Sequence, residues 1–206
     1  MMIFCFSMDY NDSYAFRKYG HRPRNEAEGI LQSLIPDMSG KSRPGIRRCE
    51  VCGGLLAKWD APLNELIVKK RKYDIAATYD GVDIVSERFR SVYESYQLTG
   101  LTFRQLPDDP AFFAIRAINV VAFDTERRMT EFLDQCATCG QYDSVVGSTP
   151  VFLKLGSVVE AKEFARTDVE FGSDDTKHSL LLCGEEAARV LTNAKLRGLD
   201  LGLVVG

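Results

Sequence analysis

The chain has 206 residues, of which 45% are hydrophobic and 27% are charged, and this balance excludes a largely disordered protein. The formal net charge of −3 gives no overall basic field of the kind that nucleic-acid-binding proteins use. No apolar run approaches the roughly 20 residues of a membrane-spanning helix, so we expect no membrane partner.

The first eight residues are apolar and predict a β-strand. No basic leader precedes them, and Asp9 and Asp12 follow at once, so the segment does not resemble a signal peptide. We therefore expect a cytoplasmic protein whose cysteines stay reduced. Residues 11–45 are polar and rich in glycine, proline and arginine, which predicts an irregular connection with one short helix around 26–34. The segment 1–45 is thus an N-terminal strand and an irregular connection.

Four of the six cysteines form two copies of one motif, Cys-x-x-Cys-Gly. Two residues between the cysteines allow a tight turn to direct both sulfurs at one ion, and the glycine takes a positive φ at little cost. Four thiolates make a closed tetrahedral site, which is typical of one structural Zn²⁺ per chain. The copies are Cys49 and Cys52 followed by Gly53, and Cys136 and Cys139 followed by Gly140.

The two pairs lie much farther apart in sequence than the roughly 15–20 residues of an ordinary zinc ribbon, so the ion would cross-link distant parts of the fold. Arg47 and Arg48 directly precede the first pair and are candidates to offset its negative charge. A redox-active dithiol, an iron–sulfur cluster and plain buried thiols are the alternatives. The remaining cysteines, Cys5 and Cys183, lie in apolar runs and are predicted to be core residues.

A strand, a helix and a second strand are also predicted twice, over 84–103 and 182–201. Apolar residues recur at helical spacing in both copies, and a glycine ends each helix. Ser86 is a good N-cap in the first copy, whereas Gly184 takes its place in the second. The repetition predicts two related units.

We therefore predict an α+β fold in which 1–206 is a single domain. Two related strand-rich halves, approximately 46–107 and 133–206, would each contain one helix and would share a zinc-ribbon-like site of four cysteines. Further strands are predicted at 66–68, 112–115, 120–123 and 151–153.

Motifs for catalysis are missing from the sequence. The two histidines, His21 and His178, have no neighbouring residues that indicate a catalytic triad. There is no phosphate-binding Walker loop and no glycine-rich dinucleotide fingerprint. We expect a binding protein and not an enzyme.

Two clusters of charge oppose each other in sign. Lys69–Lys72 is a basic run that could contact phosphates, and segment 160–175 is acidic. Both are equally compatible with a solvated surface. Taken as a docking face, the acidic segment would favour a basic partner, since complementary charge raises association rate and specificity. Its acidic residues are Glu160, Glu163, Asp168, Glu170, Asp174 and Asp175.

The two Cys-x-x-Cys-Gly motifs, each followed by a strand, a cap, a helix and a Leu-x-Gly-Leu ending at 98–101 and 196–199, resemble the double-CXXCG motif family of myxobacterial paralogues. That family includes immunity proteins, which protect a cell from a toxin delivered between siblings. The resemblance implies a cytoplasmic protein that binds and neutralises a cognate polymorphic toxin. Only the four cysteines carry over position by position.

Because inhibitors of basic nucleases are often acidic, the toxin could be a basic nuclease. The alternative function is a zinc-ribbon nucleic-acid-binding protein that uses Lys69–Lys72, although the overall charge makes nucleic acid an unlikely partner. A thiol oxidoreductase is a third hypothesis.

Overall fold

The computed structural model describes residues 2–16 and 45–204, and the predicted helix around 26–34 lies outside them. The helices are α1 (Glu87–Ser95), α2 (Thr125–Arg128) and α3 (Glu185–Asn193). The strands are β1 (Ile3–Met8), β2 (Ile75–Ala77), β3 (Asp83–Ser86), β4 (Leu101–Leu106), β5 (Asp109–Ala117), β6 (Asn119–Val121), β7 (Glu131–Gln135), β8 (Tyr142–Val146), β9 (Phe164–Ser173), β10 (His178–Gly184) and β11 (Leu199–Leu203).

These elements make a mixed, strand-rich fold with two sheets. Seven strands form one sheet in the order β11-β1-β10-β9-β8-β7, with β6 added in parallel beside β9. The other four strands form a second sheet in the order β2-β3-β5-β4. The first predicted strand is confirmed as β1, and the strands predicted at 112–115 and 120–123 are largely confirmed as parts of β5 and β6.

Two sets of strands have the same arrangement. In the first unit (β2, β3, α1, β4 and β5), α1 connects β3 to β4, and both strands pair antiparallel with β5. In the second unit (β9, β10, α3, β11 and β1), α3 connects β10 to β11, and both strands pair antiparallel with β1. The strands β2 and β9 occupy the same place beside β3 and β10. β1 therefore has the position in the second unit that β5 has in the first.

The register of pairing is also the same in the two units. Residues of β3 and β4 have equivalents in β10 and β11 at one constant offset in sequence. Residues that face one position of β5 in the first unit have equivalents that face the matching position of β1 in the second. The facing pairs Val85–Phe113, Gln105–Phe113 and Phe103–Ile115 of the first unit match Cys183–Phe4, Leu203–Phe4 and Leu201–Phe6 of the second.

The loop after each helix contacts the other unit. The Thr99 carbonyl, which follows α1, accepts a hydrogen bond from the Phe164 N–H at the start of β9 (2.9 Å). The Arg197 carbonyl, which follows α3, accepts one from the Ile75 N–H at the start of β2 (3.2 Å). The contact is thus reciprocal, as in an assembly with two-fold symmetry.

One apolar cluster joins the two sheets and the helices α1 and α3. Phe89 of α1, Ile115 of β5, Phe164 of β9 and Leu191 of α3 are fully buried within it. Each such side chain contributes about 1.5–3 kcal/mol by leaving water. Both units therefore share the same core.

Two expectations about the elements were wrong. Leu66 and Val68 are buried, but residues 66–68 form no strand, since the Val68 N–H donates to the Asp109 carboxylate instead of to a neighbouring strand (3.0 Å). Residues 151–153 contribute only an isolated bridge. The two units of strands described above include β5 and β1, which lie outside the predicted halves 46–107 and 133–206.

Candidate metal centre

The first Cys-x-x-Cys-Gly turn, residues 49–53, is called here the first knuckle. It closes a short hairpin in which Arg48 and Leu55 face each other. The Gly53 N–H donates to the Cys49 carbonyl (2.8 Å), and Gly53 has φ of 72°, the left-handed conformation expected from the sequence. The turn therefore holds both cysteines on one side of the hairpin.

The second knuckle, residues 136–140, is the turn of the β7–β8 hairpin. Its Gly140 N–H donates to the Cys136 carbonyl at the same distance, 2.8 Å, and Gly140 has φ of 73°. The Cys136 N–H donates to the Gln141 carbonyl (2.8 Å), as the Cys49 N–H does to the carbonyl after its own knuckle. The two knuckles have the same backbone geometry.

The four sulfurs of the knuckles converge and all lie within 4.8 Å of one another. The Sγ atoms of Cys49 and Cys136 are 3.9 Å apart, and those of Cys52 and Cys139 are 3.6 Å apart. A disulfide needs about 2.05 Å, so these are separate thiols. Four sulfurs about 2.3 Å from a central ion would be separated by about 3.8 Å in a tetrahedron, which matches the observed distances. Cys49, Cys52, Cys136 and Cys139 therefore form a possible metal site.

The groups around Cys49, Cys52 and Cys136 shift the pKa values of these thiols. Backbone N–H groups of Cys139 and Thr138 lower the pKa of Cys136 to about 6, and those of Cys52 and Val51 lower the pKa of Cys49. The Gly54 N–H lowers the pKa of Cys52, but burial and the neighbouring sulfurs outweigh it and raise the value to about 12. Four adjacent thiolates repel one another, so their common ionisation requires a cation between them.

Side chains fix the first knuckle to the rest of the fold. Arg48 donates to the Gly53 carbonyl (2.9 Å) and forms a two-pronged ion pair with Asp175 (2.9 and 2.7 Å). The Asp175 side chain is only 2% exposed, so this pair is well shielded. The Gln141 side chain, beside the second knuckle, donates to the Leu55 carbonyl (3.0 Å). Arg48, predicted as a counter-charge for the sulfurs, has its own carboxylate partner.

The other two cysteines lie away from this group. Cys183 is fully buried in β10, and Cys5 lies half-buried in β1. Burial raises the pKa of each thiol to about 12, which makes both unreactive.

The predicted acidic face is divided by the fold. Glu163 accepts hydrogen bonds from the Asn119 side chain (2.5 Å) and the Glu160 N–H (3.2 Å), next to the loop that follows α1. Asp168 accepts from the Phe123 N–H (2.8 Å), and Asp175 is occupied by its ion pair. Glu160 and Glu163 thus lie apart from the remaining four acidic residues, Asp168, Glu170, Asp174 and Asp175, which line one cavity.

That cavity, called here the cleft, lies beside the two knuckles and has a volume of about 560 Å³. Trp59, in the segment after the first knuckle, and Phe132 and Tyr142, in the β7–β8 hairpin, contribute aromatic rings. The cleft was not predicted from the sequence. The available signal in the sequence was weak, since all three aromatic residues lie within seven positions of a cysteine pair.

The basic run is largely engaged with neighbouring side chains. Lys70 pairs with Asp12 (3.1 Å), Arg71 pairs with Asp109 (2.6 Å), and Lys72 lies over the ring of Tyr73 (4.8 Å). A phosphate contact at Lys70 or Arg71 would therefore compete with an existing ion pair.

Comparison with protein-family models and with curated proteins found no match to this chain. The double-CXXCG resemblance therefore rests on the motifs alone. In the part of the chain that the structure describes, every helix is too short or too polar to cross a bilayer. Fold and site together define a strand-rich α+β protein with a four-cysteine centre.

Proposed function

We propose that this chain is a zinc-stabilised binding protein, not an enzyme, and that it neutralises a cognate polymorphic toxin in the cytoplasm. The observation that carries the proposal is the convergence of four sulfurs from two distant knuckles. A tetrahedral site of four thiolates surrounds its ion and leaves no position for a catalytic water, so its role is structural. A rigid scaffold of this kind reduces the entropy lost when a protein partner binds.

Zinc is the ion that this set of ligands fits best. Thiolates select soft or borderline ions, whereas Mg²⁺ and Ca²⁺ require oxygen ligands. The sulfur separations of 3.6 and 3.9 Å suit tetrahedral coordination. Bound zinc would hold the two knuckles together and would add its binding free energy to the stability of the fold.

We also infer that the two units arose by duplication and share the ion at their junction, as a zinc-ribbon-like site. The common register, the reciprocal loops and the equivalent knuckles support this inference. Cys49 contacts Cys136, and Cys52 contacts Cys139, which is the pairing expected of two copies around a two-fold axis.

The step from binding protein to toxin inhibitor comes from the double-CXXCG resemblance. The net charge of −3 supports a basic partner, which would include a basic nuclease. An immunity protein needs no chemistry of its own, because covering the active site of its toxin is enough.

Metal analysis tests the structural part of the proposal. We expect about one zinc per chain in the purified protein and none in the Cys49→Ser/Cys136→Ser double variant, since one ligand is lost from each knuckle. Iron in place of zinc, or two partly filled sites, would contradict the four-ligand zinc site.

A survival assay tests the functional part. The chain is expressed in a host cell together with each toxin that is encoded beside its own gene, one toxin at a time. We expect rescue from one toxin and copurification of the two proteins, with rescue lost in the double cysteine variant. Death of the host with every neighbouring toxin would sink the proposal of immunity.

Nucleic-acid binding is the alternative, and the pairing of Lys70 and Arg71 with carboxylates makes it less favourable. We expect no binding to mixed DNA or RNA at low salt. Tight binding that weakens steeply with added salt would replace the toxin proposal by the alternative.

A further inference from the structure

The cleft is formed by both hairpins that carry the knuckles. The segment after the first knuckle supplies Leu55 and Trp59, and the β7–β8 hairpin supplies Phe132 and Tyr142, whose ring centroids are 5.0 Å apart. Its volume of about 560 Å³ lies within the range of about 300–1,000 Å³ that is usual for ligand pockets. The cleft is therefore large enough for a side chain together with the backbone that carries it.

The positive charges of the cleft are already engaged. The Lys58 ammonium donates to the carbonyls of Asp175 (3.0 Å) and Lys177 (2.7 Å), and the Lys177 ammonium donates to the Asp143 carbonyl (3.2 Å). The Arg116 guanidinium lies over the ring of Trp59, 5.3 Å from its centre. These groups neutralise part of the cleft but offer few further hydrogen-bond donors; the Arg116 Nε is the exception.

Several carboxylates of the cleft make no hydrogen bond and no close ion pair, although Lys58 and Arg166 lie near enough to Glu170 for their charges to act on it. Within the described residues, the carboxylates of Asp60, Glu170 and Asp174 accept no hydrogen bond and form no ion pair, and all three border the cleft. A carboxylate beside aromatic rings matches a guanidinium or ammonium group, which pairs with the oxygens and lies over a ring face. The unused binding capacity of the cleft is thus mainly acidic and aromatic.

We propose that the cleft receives an arginine or lysine side chain presented by the partner protein, which lies against Phe132 and Tyr142 and pairs with Glu170 and Asp174. The inference rests on the proposed function, since it takes the chain to be a protein-binding scaffold. Arginine is the better fit, because its planar group pairs with two oxygens and stacks on rings at the same time. Buried arginines of this kind are common energetic centres of interfaces.

Trp59 provides the measurement. It is the only tryptophan of the chain and borders the cleft, so intrinsic fluorescence reports occupancy of this cavity. The zinc-loaded full chain is titrated at low salt with a capped tri-arginine peptide and with the matching tri-citrulline peptide, which has nearly the same shape but no charge. We expect a saturable change with tri-arginine and an affinity at least about tenfold lower for tri-citrulline.

Two double variants locate the effect. Glu170→Gln/Asp174→Asn should weaken tri-arginine binding at least about fivefold, because it removes the free carboxylates of the cleft. The control Glu126→Gln/Glu131→Gln makes the same change in net charge at residues that do not line the cleft, and it should leave the affinity unchanged. Zinc content and unfolding temperature are measured on both variants to confirm that they fold.

Three results would overturn the inference: equal binding of tri-citrulline, equal weakening in the two double variants, or preferential binding of tri-glutamate, which would make the cleft an anion site at Arg116. The outcome is separable from the proposed function. Rescue from a toxin without any arginine-peptide binding would contradict the cleft as the contact and leave the proposed immunity role standing. Peptide binding without rescue would support the cleft as a binding site and contradict the proposal that the partner is a toxin.

Discussion

The first and second units place a helix between the same pair of strands but complete their sheets from different parts of the chain. In the first unit, β5 follows β4 after a tight turn in which Leu106 and Asp109 already face each other. In the second unit, the equivalent strand is β1, which is separated from β10 by most of the sequence. The helices and turns of the two units therefore follow the same order along the chain. The strands that complete the two units, β5 and β1, are equivalent only in their positions in the structure.

The largest expected effect concerns the junction of the two units. Cys49→Ser/Cys136→Ser should lower the free energy of unfolding by about 4 kcal/mol, the value of a cross-link that closes a long loop. For a chain of this size the loss corresponds to about 10 °C in Tm. Calorimetry with and without a chelator measures it. The chelator should lower the Tm of the wild type towards that of the variant, and a chelator without effect would show that the ion is not structural.

Equivalent core positions test whether β1 and β5 have the same role. Phe6 of β1 and Ile115 of β5 occupy corresponding register positions and are buried in the same cluster. Phe6→Ala and Ile115→Ala should each cost about 3 kcal/mol in urea unfolding, because each leaves a cavity. The exposed Ser7→Ala in β1 should stay within about 0.5 kcal/mol. A cost below about 1 kcal/mol for Phe6→Ala alone would break the equivalence.

The N-terminal caps of α1 and α3 differ between the two units. Ser86 accepts a hydrogen bond from the Phe89 N–H (3.2 Å), but Gly184 has no side chain with which to cap α3. A Cβ at Gly184 would collide with the Glu160 carbonyl. We therefore expect Gly184→Ser, which makes the second cap like the first, to destabilise the fold by about 2 kcal/mol in denaturant unfolding.

Ser86→Ala is the matched variant for the first cap and should cost about 1–2 kcal/mol, since it removes the cap and the hydrogen bond from the Ser86 hydroxyl to Asp74 without any collision. If Gly184→Ser were stabilising, crowding at that position would not explain the difference between the two caps.

The last effect concerns a buried carboxyl at one strand position and is expressed as a dependence of stability on pH. Asp83 of β3 corresponds to Leu181 of β10, and its Oδ1 has no hydrogen-bond partner in the described structure. Burial raises the pKa of Asp83 from 3.8 to about 6, although His178 and Lys58 lower it. The folded state therefore binds the proton more tightly than the unfolded state, and the wild type loses stability as pH rises from about 4 to about 6.

Asp83→Asn removes this titration. Relative to the wild type, the variant should gain about 2 kcal/mol across the same pH interval. Urea unfolding at pH 4, 5, 6 and 7 would measure the difference, and parallel curves for the two proteins would contradict the prediction.

Much of the fold followed from local signals. The caps and apolar spacing predicted α1 and α3, and the motif spacing predicted that four cysteines converge. The strand β9 was missed, because its charged residues concealed the buried positions Phe164, Thr167 and Phe171 in a segment that reads as a polar surface. The charged residues of this segment indicate its exposed face, but they do not indicate that the segment pairs with β10.

The cleft could not be predicted, because it depends on which distant elements become neighbours. Trp59 and Phe132 are brought together only when the two knuckles meet. The role of β1 was hidden for the same reason: an apolar run shows that a segment forms a strand but not which strands pair with it.

The pairing of β1 with β10 and β11 has a consequence for biosynthesis. The ribosome makes β1 long before its two neighbours β10 and β11, whereas the strands of the first unit emerge one after another and can pair as they appear. The apolar segment Ile3–Met8 must therefore remain without its sheet until β10 and β11 have been made. Nascent chains thus expose an apolar, aggregation-prone segment for a long time, and chaperones that recognise short apolar segments have a natural target there.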